Sequence, residues 1–389
     1  MFAHLLKLIW NKKKQNALLL TEMFFSFLVM FAVFSLMVYE YSNYKKPMGF
    51  SYENVWAINV SYPDGIKRPD SMQQYQQTLK QLISTMPQVD NVAFSSRNIP
   101  FSANMMGNMV SYKKNEIQAN NFFVEDDYYK VFNLSMKEGR WFSQADNVTK
   151  DKPVVINEAL KNKIFGNENA IGKSISPNNM KVIGVVNDFK NDGDYQNVES
   201  GYFERADTSN IGSLASILVS VKPNTTAAFE ARLYKTVSNY LTTSNLEIEH
   251  LSKKHTSKNS QTLVPMIILS IVAGFLIINV ALGLFGVLWY NINKRRGEIG
   301  LRRAVGATGN SVSKQLVAEA LVLSTISLIV GCFFAFQFPL LNVFDLPAGV
   351  YLIAIALAIA FIYLLVTICA LYPGKQAAAI YPAVALHEE

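Results

Sequence analysis

The sequence predicts an α-helical membrane protein with four transmembrane helices and an α+β, two-lobed outer domain between helices 1 and 2. Three observations carry this prediction. Half of the 389 residues are hydrophobic and only 17% are charged, a balance that suits neither a disordered chain nor an ordinary soluble one. The apolar residues gather into four blocks, each near the roughly 20 residues that cross about 30 Å of hydrocarbon. The basic residues concentrate at one side of those blocks, as the positive-inside rule requires of the cytoplasmic side.

Residues 1–17 form a basic inner arm carrying Lys7, Lys12, Lys13 and Lys14. Helix 1, residues 18–39, is interrupted only by Thr21 and Glu22. Its length, and the lack of a small-x-small site in the following YEYSNYKK, read as a retained anchor rather than a cleaved signal peptide. Residues 40–262 are polar and contain no spanning block. Helix 2, residues 263–290, holds no charge, with Asn279 as its main polar interruption. The loop 291–314 carries Lys294, Arg295, Arg296, Arg302, Arg303 and Lys314 against the single acid Glu298. Helix 3 covers 315–338, with Glu319 near its start. A short outer loop, 339–345, ends at Asp345, helix 4 covers 346–372, and the tail 373–389 returns inside. Both termini are therefore expected in the cytoplasm.

Most of the net charge of +7 sits in the arm and the 291–314 loop. The pI near 9.1 thus reports membrane topology rather than a basic face following phosphates, and no nucleic-acid partner is expected. The two cysteines, Cys332 and Cys369, fall inside spans, so the outer domain must be held by its core and not by disulfides.

That outer domain shows strand-like runs at Val55–Val60 and Val89–Ser96 around an amphipathic stretch at Ser71–Met86. The same order recurs later: Ser216–Pro223, a helical pattern over Thr226–Leu241, then Asn245–Leu251. Two β-α-β units therefore bracket an insertion. One lobe is assembled from about 45–98 and 213–251, and the inserted lobe covers about 99–212, with a short helix at DDYYKVFNL, strands at PVVIN and MKVIGVV, and a helix at EALKNKIFG. The polar stretch Ser252–Thr262 reads equally as a stalk extending helix 2 or as a flexible linker.

Catalytic signals are weak, and no enzyme class emerges. GNENAIGKS, Gly166–Ser174, places five residues before Gly-Lys-Ser where a phosphate-binding loop needs four. The four histidines, His4, His250, His255 and His387, lack metal-ligand spacing, so no metal site is expected. Glu125, Asp126 and Asp127 read as caps for the helix starting near Tyr128, and Asn187 and Asp188 as turn formers. Within the spans, Glu22 and Glu319 lie a turn or two from the inner end, where basic segments could reach them. Asn279 suggests a hydrogen bond across a helix interface. Trp10 and Trp289 fall at an inner aromatic belt.

Three runs in order, FVEDDYYKVFNLSMKEGRWFS, PVVINEALKNKIFGNENAIGKSI and KVIGVVNDFK, resemble the periplasmic domain of MacB-type ABC permeases. The loop RRGEIGLRRAVGAT and the tail YPGKQAAAIYPAVALHEE are similar to the FtsX-like permease domain. The resemblance implies an inner-membrane permease with a periplasmic outer domain. It implies a cytosolic ABC ATPase partner that carries ATP and Mg, this chain binding no cofactor directly. It also implies a homodimer or paired homologous permease, and for efflux an adaptor and an outer-membrane channel. Lipoprotein release, FtsX-like regulation of a cell-wall hydrolase, and a receptor without an ATPase are the alternative outcomes.

The resemblance assigns ATPase coupling to Arg295, Arg296, Glu298, Ile299, Gly300, Leu301, Arg302, Arg303, Ala304, Val305, Gly306 and Ala307. The residues alone give a short basic amphipathic helix. Glu298 stands four before Arg302, the favourable order for an ion pair, and Leu301 and Val305 share another face, with Gly297 and Gly306 as breakers at its two ends. Such a helix docks a cytosolic partner or anchors orientation at the lipid surface.

Overall fold

The first helix, α1 (Lys13–Tyr44), leads directly into a mixed sheet. The outer part then runs β1 (Val55–Asn59), α2 (Pro69–Ser84), β2 (Val89–Ser95), β3 (Gly107–Tyr112), β4 (Asn115–Val124), α3 (Tyr128–Phe132), β5 (Met136–Gly139), β6 (Pro153–Asn157), α4 (Glu158–Phe165), β7 (Ser174–Ile175), β8 (Met180–Val186), β9 (Gly201–Arg205), β10 (Ser216–Val221), α5 (Ala227–Leu241) and β11 (Glu247–His250). The chain continues through α6 (Leu251–Lys294), α7 (Arg296–Ala304), α8 (Gly309–Ala335), α9 (Gln337–Leu340) and α10 (Ala348–Ala378). This computed structural model describes residues 13–61, 68–104, 106–148, 151–207, 210–241 and 246–379. Two compact units result, one of residues 1–42 and 263–389 and the other of residues 43–262.

The outer unit is organised by one 11-stranded sheet with the path β11-β1-β10-β2-β4-β9-β6-β8-β5. β1, β10 and β2 pair antiparallel, with Ala57 opposite Leu218 and Leu218 opposite Ala93. On one face of these strands α2 and α5 lay down Leu79, Ile83, Phe229, Leu233 and Val237, all buried. Each helix presents these residues at three- to four-residue spacing, the period that puts them on one side. The inserted lobe forms its own core, where Leu160 and Ile164 of α4 pack with Val154, Ile156 and Val182. Asn157 starts α4 by accepting from the Leu160 amide at 3.0 Å, a standard N-cap.

The two lobes expected from the sequence thus share a sheet. Their junction is narrow, because β2 and β4 pair only at Ser95 and Val124. An aromatic cluster of Phe122, Tyr128, Phe132, Trp141, Phe189 and Phe203 fills the space beside that junction. The β3–β4 hairpin was not foreseen: NEIQANNFFV lacks strict alternation, and its tight turn runs through Lys113 at φ 55 instead of a glycine or asparagine.

One local expectation is corrected and one open alternative is decided. Asp127 occupies the N-cap position of α3 but makes no capping hydrogen bond; its carboxylate is taken by Lys80 and Lys130, both at 2.8 Å. Ser252–Thr262 is not a linker, since α6 is helical from Leu251 onward. Two helices also overrun the apolar blocks: α8 begins at Gly309 and α10 continues through Pro373 to Ala378. Hydropathy marks the hydrocarbon-crossing part of a helix, not its ends.

In the membrane unit, Ala17–Tyr44, Leu251–Lys294, Gly309–Leu340 and Ala348–Ala378 are long and apolar enough to cross a bilayer. Leu19, Met23, Phe27 and Met30 make one buried stripe of α1, packed with Ala320, Leu323 and Leu328 of α8 and Ala354, Ala358 and Ile362 of α10. Cys332 and Cys369 are free.

Candidate functional site

The basic loop folds into α7, and its ends differ from the sequence expectation in one respect. Gly306 adopts φ +103 and ends the helix, as only glycine does without strain. Gly297 breaks nothing, because it lies within the first turn. Ile299 and Gly300 are buried, Ile299 joining Ile292, Val312, Leu316 and Ala377 with Ala307 packed against them.

A chain of polar contacts ties this helix to α8 and α10. Arg295 reaches Glu298 at 3.0 Å and Glu319 at 2.8 Å. Arg302 reaches Glu298 at 2.6 Å and Gln315 at 2.9 Å, and Gln315 donates to Glu319 at 3.1 Å. Arg303 donates to the carbonyl of Ala378. Burial works against the Arg295 charge, yet Glu298 and Glu319 hold the guanidinium above its ordinary value. Arg296 points outward and is exposed.

Beside the Glu298–Arg302 pair, and opposite the buried Ile299 and Gly300, the helix is apolar and open. Leu301 is 56% exposed and Val305 83% exposed, one helical turn apart, with Ala304 and Gly306 exposed beside them. Ion pairs with an uncovered aliphatic ridge next to them describe a helix fixed by its own protein and free to be read by another surface.

Other residues singled out from the sequence take the following places. Glu319 has its cation in Arg295, whereas Glu22 has no ion-pair partner among the described residues. Asn279 donates to the Phe275 carbonyl on its own helix at 2.8 Å, not across an interface. Trp289 is partly exposed on α6; Trp10, His4 and His387 lie outside the described residues. Lys173 of the false phosphate loop pairs with Glu168. Asp188 accepts from the Ala159 amide at 2.7 Å, adding a second acceptor at the start of α4. No group of metal-ligating side chains occurs among the described residues.

Two features of the outer unit escaped the sequence reading. Lys80, Glu125, Asp126, Asp146 and Arg205 line a groove of about 790 Å³, with Arg205 on Asp126 at 2.6 Å. The second is a loop, residues 187–200, that receives both ends of the unit. Asn43 donates to the Tyr195 carbonyl at 3.0 Å and Lys46 to Asn197 at 2.8 Å, while Tyr44 stacks on Tyr195. From α6, His255 lies 3.1 Å from Asp194, Asn259 donates to Asp194 at 2.7 Å, and Lys258 pairs with Asp192 at 3.0 Å. Lys190, fully buried, donates to the carbonyls of Asn43 and Asp194. The only sequence signal was the density of Asn and Asp in NDFKNDGDYQN, which also describes any polar loop.

Four apolar spans, an α/β domain inserted after the first, and a clamped basic helix with an open ridge define a permease of the ABC transporter class. The chain belongs to the family of the MacB-like periplasmic core domain, whose model matches residues 23–235, and an FtsX-like permease C-terminal model matches residues 270–382. A macrolide export ATP-binding/permease protein MacB from Aggregatibacter actinomycetemcomitans is 28% identical over 235 residues, 58% of this chain and 36% of that protein. The chain therefore matches little more than a third of that relative's length. An uncharacterized ABC transporter permease, YvrN of Bacillus subtilis (strain 168), is 25% identical over 299 residues, 68% of this chain and 69% of that one. The crystal structure of the periplasmic region of MacB from Actinobacillus actinomycetemcomitans aligns with 53% of this chain and 92% of its own at 19% identity and a TM-score of 0.37.

Proposed function

We propose that this chain is the non-catalytic permease subunit of an ABC transporter. In this reading it passes ATP-driven motion from a cytosolic ATPase through α7 to the outer domain, acting in efflux through an adaptor and an outer-membrane channel. Pairing with a second copy or a homologous permease, and both termini in the cytoplasm, belong to the same reading. The observation that carries it is the Leu301–Val305 ridge, exposed on a helix that Arg295, Arg302 and Arg303 tie to its own unit. Arg295 and Arg302 are spent on carboxylates, which leaves Arg296 exposed for a lipid surface but does not explain the open aliphatic ridge. Export is supported by the likeness to a macrolide export protein, MacB.

The test is purification of the tagged chain from its native membranes in mild detergent, with mass spectrometry of what accompanies it. An ABC ATPase should be recovered with the wild type and lost with the double change Leu301→Asp and Val305→Asp, which leaves every ion pair in place. An adaptor in the same sample supports efflux, and a hydrolase or lipoprotein carrier redirects the substrate assignment. Reproducible absence of any ATPase, with the chain intact, overturns the proposal.

A further inference from the structure

Within the outer unit, the helices that enter and leave it grip the lobe they do not run into. Loop 187–200 joins β8 to β9 and so belongs to the inserted lobe, yet it receives the end of α1 and the first turns of α6. On the α1 side Asn43, Tyr44 and Lys46 meet Tyr195 and Asn197, and the Lys190 amide donates to the Met48 carbonyl at 2.9 Å. A Cβ on Gly49 would fall 2.1 Å from the Asp188 carbonyl oxygen, so the chain leaving α1 lies against the loop at a distance that glycine alone permits. On the α6 side His255, Lys258 and Asn259 answer Asp192 and Asp194.

The two grips meet at Asp194. Its amide donates to Asn259 Oδ1 at 3.0 Å, and its carboxylate accepts from Asn259 at 2.7 Å and lies 3.1 Å from His255 Nε2. Its carbonyl accepts from Lys190 Nζ at 2.8 Å, the same buried ammonium that holds the Asn43 carbonyl in the last turn of α1. The neighbouring Gly193 has φ +107, and a Cβ there would fall 2.6 Å from Asn259 Oδ1, so loop and helix touch without room for a side chain. The direct link between the lobes is of another kind. Among the described residues β2 and β4 pair at Ser95 and Val124 alone, and the aromatic cluster beside them holds by non-directional apolar contact. Hydrogen bonds fix direction as well as distance, and the loop supplies them.

We propose that loop 187–200 is the handle by which α1 and α6 orient the inserted lobe directly, with Asp194 as the positioning residue that joins the two grips. The inference rests on the reading that this chain passes motion to its outer domain, and it names the route of that motion inside the domain. The lobe assembled from the two ends of the outer unit acts as the bearing, and the inserted lobe is the part that is swung. Contacts made by packed side chains and hydrogen-bonded networks are the physical means by which such motion is carried.

The experiment uses the full chain in nanodiscs, with Cys332 and Cys369 replaced by alanine and labelled copies diluted among unlabelled ones, and reads nitroxide distances by pulsed electron paramagnetic resonance. One pair, Ser257→Cys on α6 with Asn162→Cys on α4, measures the helix against the inserted lobe. A second, Ser257→Cys with Lys235→Cys on α5, measures it against the other lobe; all three sites are exposed. Both distance distributions should be narrow with the joint intact. Gly193→Ala, which pushes the loop off Asn259 and keeps every polar group, and Asp194→Ala should each at least double the width of the first distribution and leave the second unchanged. Lys258→Asp, which sets two carboxylates together, should widen the first as well, and adding Asp192→Lys should narrow it again. A first distribution that is broad from the start, or that stays narrow in Gly193→Ala and Asp194→Ala, overturns the proposal. Equal widening of both pairs overturns it too, since the variants have then loosened the whole unit. No ATPase takes part, so failure here leaves the ATPase recovery standing, and loss of the ATPase leaves this result standing.

Discussion

In the outer unit Phe122, Phe203 and Leu218 are almost sealed from solvent, while in the membrane unit Ile271, Phe275, Ile278 and Leu282 stand open. The same residue types are handled in opposite ways because the surroundings differ: water drives apolar side chains together, and lipid does not. Within the membrane unit the contrast continues, since the apolar window of α6 is 11% buried against 39% for the helix containing α8. Specificity there rests on the few polar contacts. The outer unit spreads its stability over many aromatic and aliphatic ones.

The largest effect that would sharpen this contrast is Phe203→Ala. Phe203 meets Phe122, Tyr128, Trp141 and Phe189 at ring separations of 5.2 to 5.7 Å. Its loss should cost about 3–5 kcal/mol, lowering the Tm of the outer unit by roughly 6–20 °C in near-UV circular dichroism while the spans remain inserted. Unchanged melting would break the comparison. Next is Arg295→Met, which strands Glu319 among the spans. A loss of about 3 kcal/mol is expected, read as a lower Tm in detergent, and Arg295→Met with Glu319→Met should recover most of it. An equal loss in the double variant would show that the arginine matters through packing alone.

A smaller effect belongs to Asp146, which the Arg140 guanidinium at 2.6 Å, helped by Ser143, holds down at about 2. Its ordinary value is 3.8. The folded form binds the proton less readily than the unfolded one, so this contribution is complete above about pH 4 and disappears as pH falls through about 2. Asp146→Asn should destabilise the outer unit by about 1–2 kcal/mol at pH 7, and the gap from wild type should close in acid. Smallest is the pair Leu301→Asp and Val305→Asp, expected to move stability by less than about 0.5 kcal/mol in detergent melts. A large change would show that the ridge packs within its own unit.

How much could be read in advance follows the same division. The spans were legible because hydrocarbon thickness sets their length, and β1, β2, β6, β8 and β10 because their runs are apolar and β-branched. Glu298 and Arg302 met as their spacing required. Arg295 with Glu319 was legible only as a depth, since 24 residues separate them and no local period links them. For Glu22 the basic arm expected to answer it falls outside the described side chains. Asp127 misled because a cap and an ion pair call for the same residue at the same place, and only Lys80, 47 positions away, decides between them. The hairpin of β3 and β4 stayed hidden because its burial is set by the strands laid beside it later in the sequence.

The loop at residues 187–200 has a consequence for how such proteins diversify. It fastens Asn43 and Lys46 at the entrance of the outer unit and His255, Lys258 and Asn259 at its exit, so the two doorways are spaced by the domain itself. A module that carries its own doorframe can be exchanged, enlarged or trimmed between two membrane helices without those helices having to be redrawn.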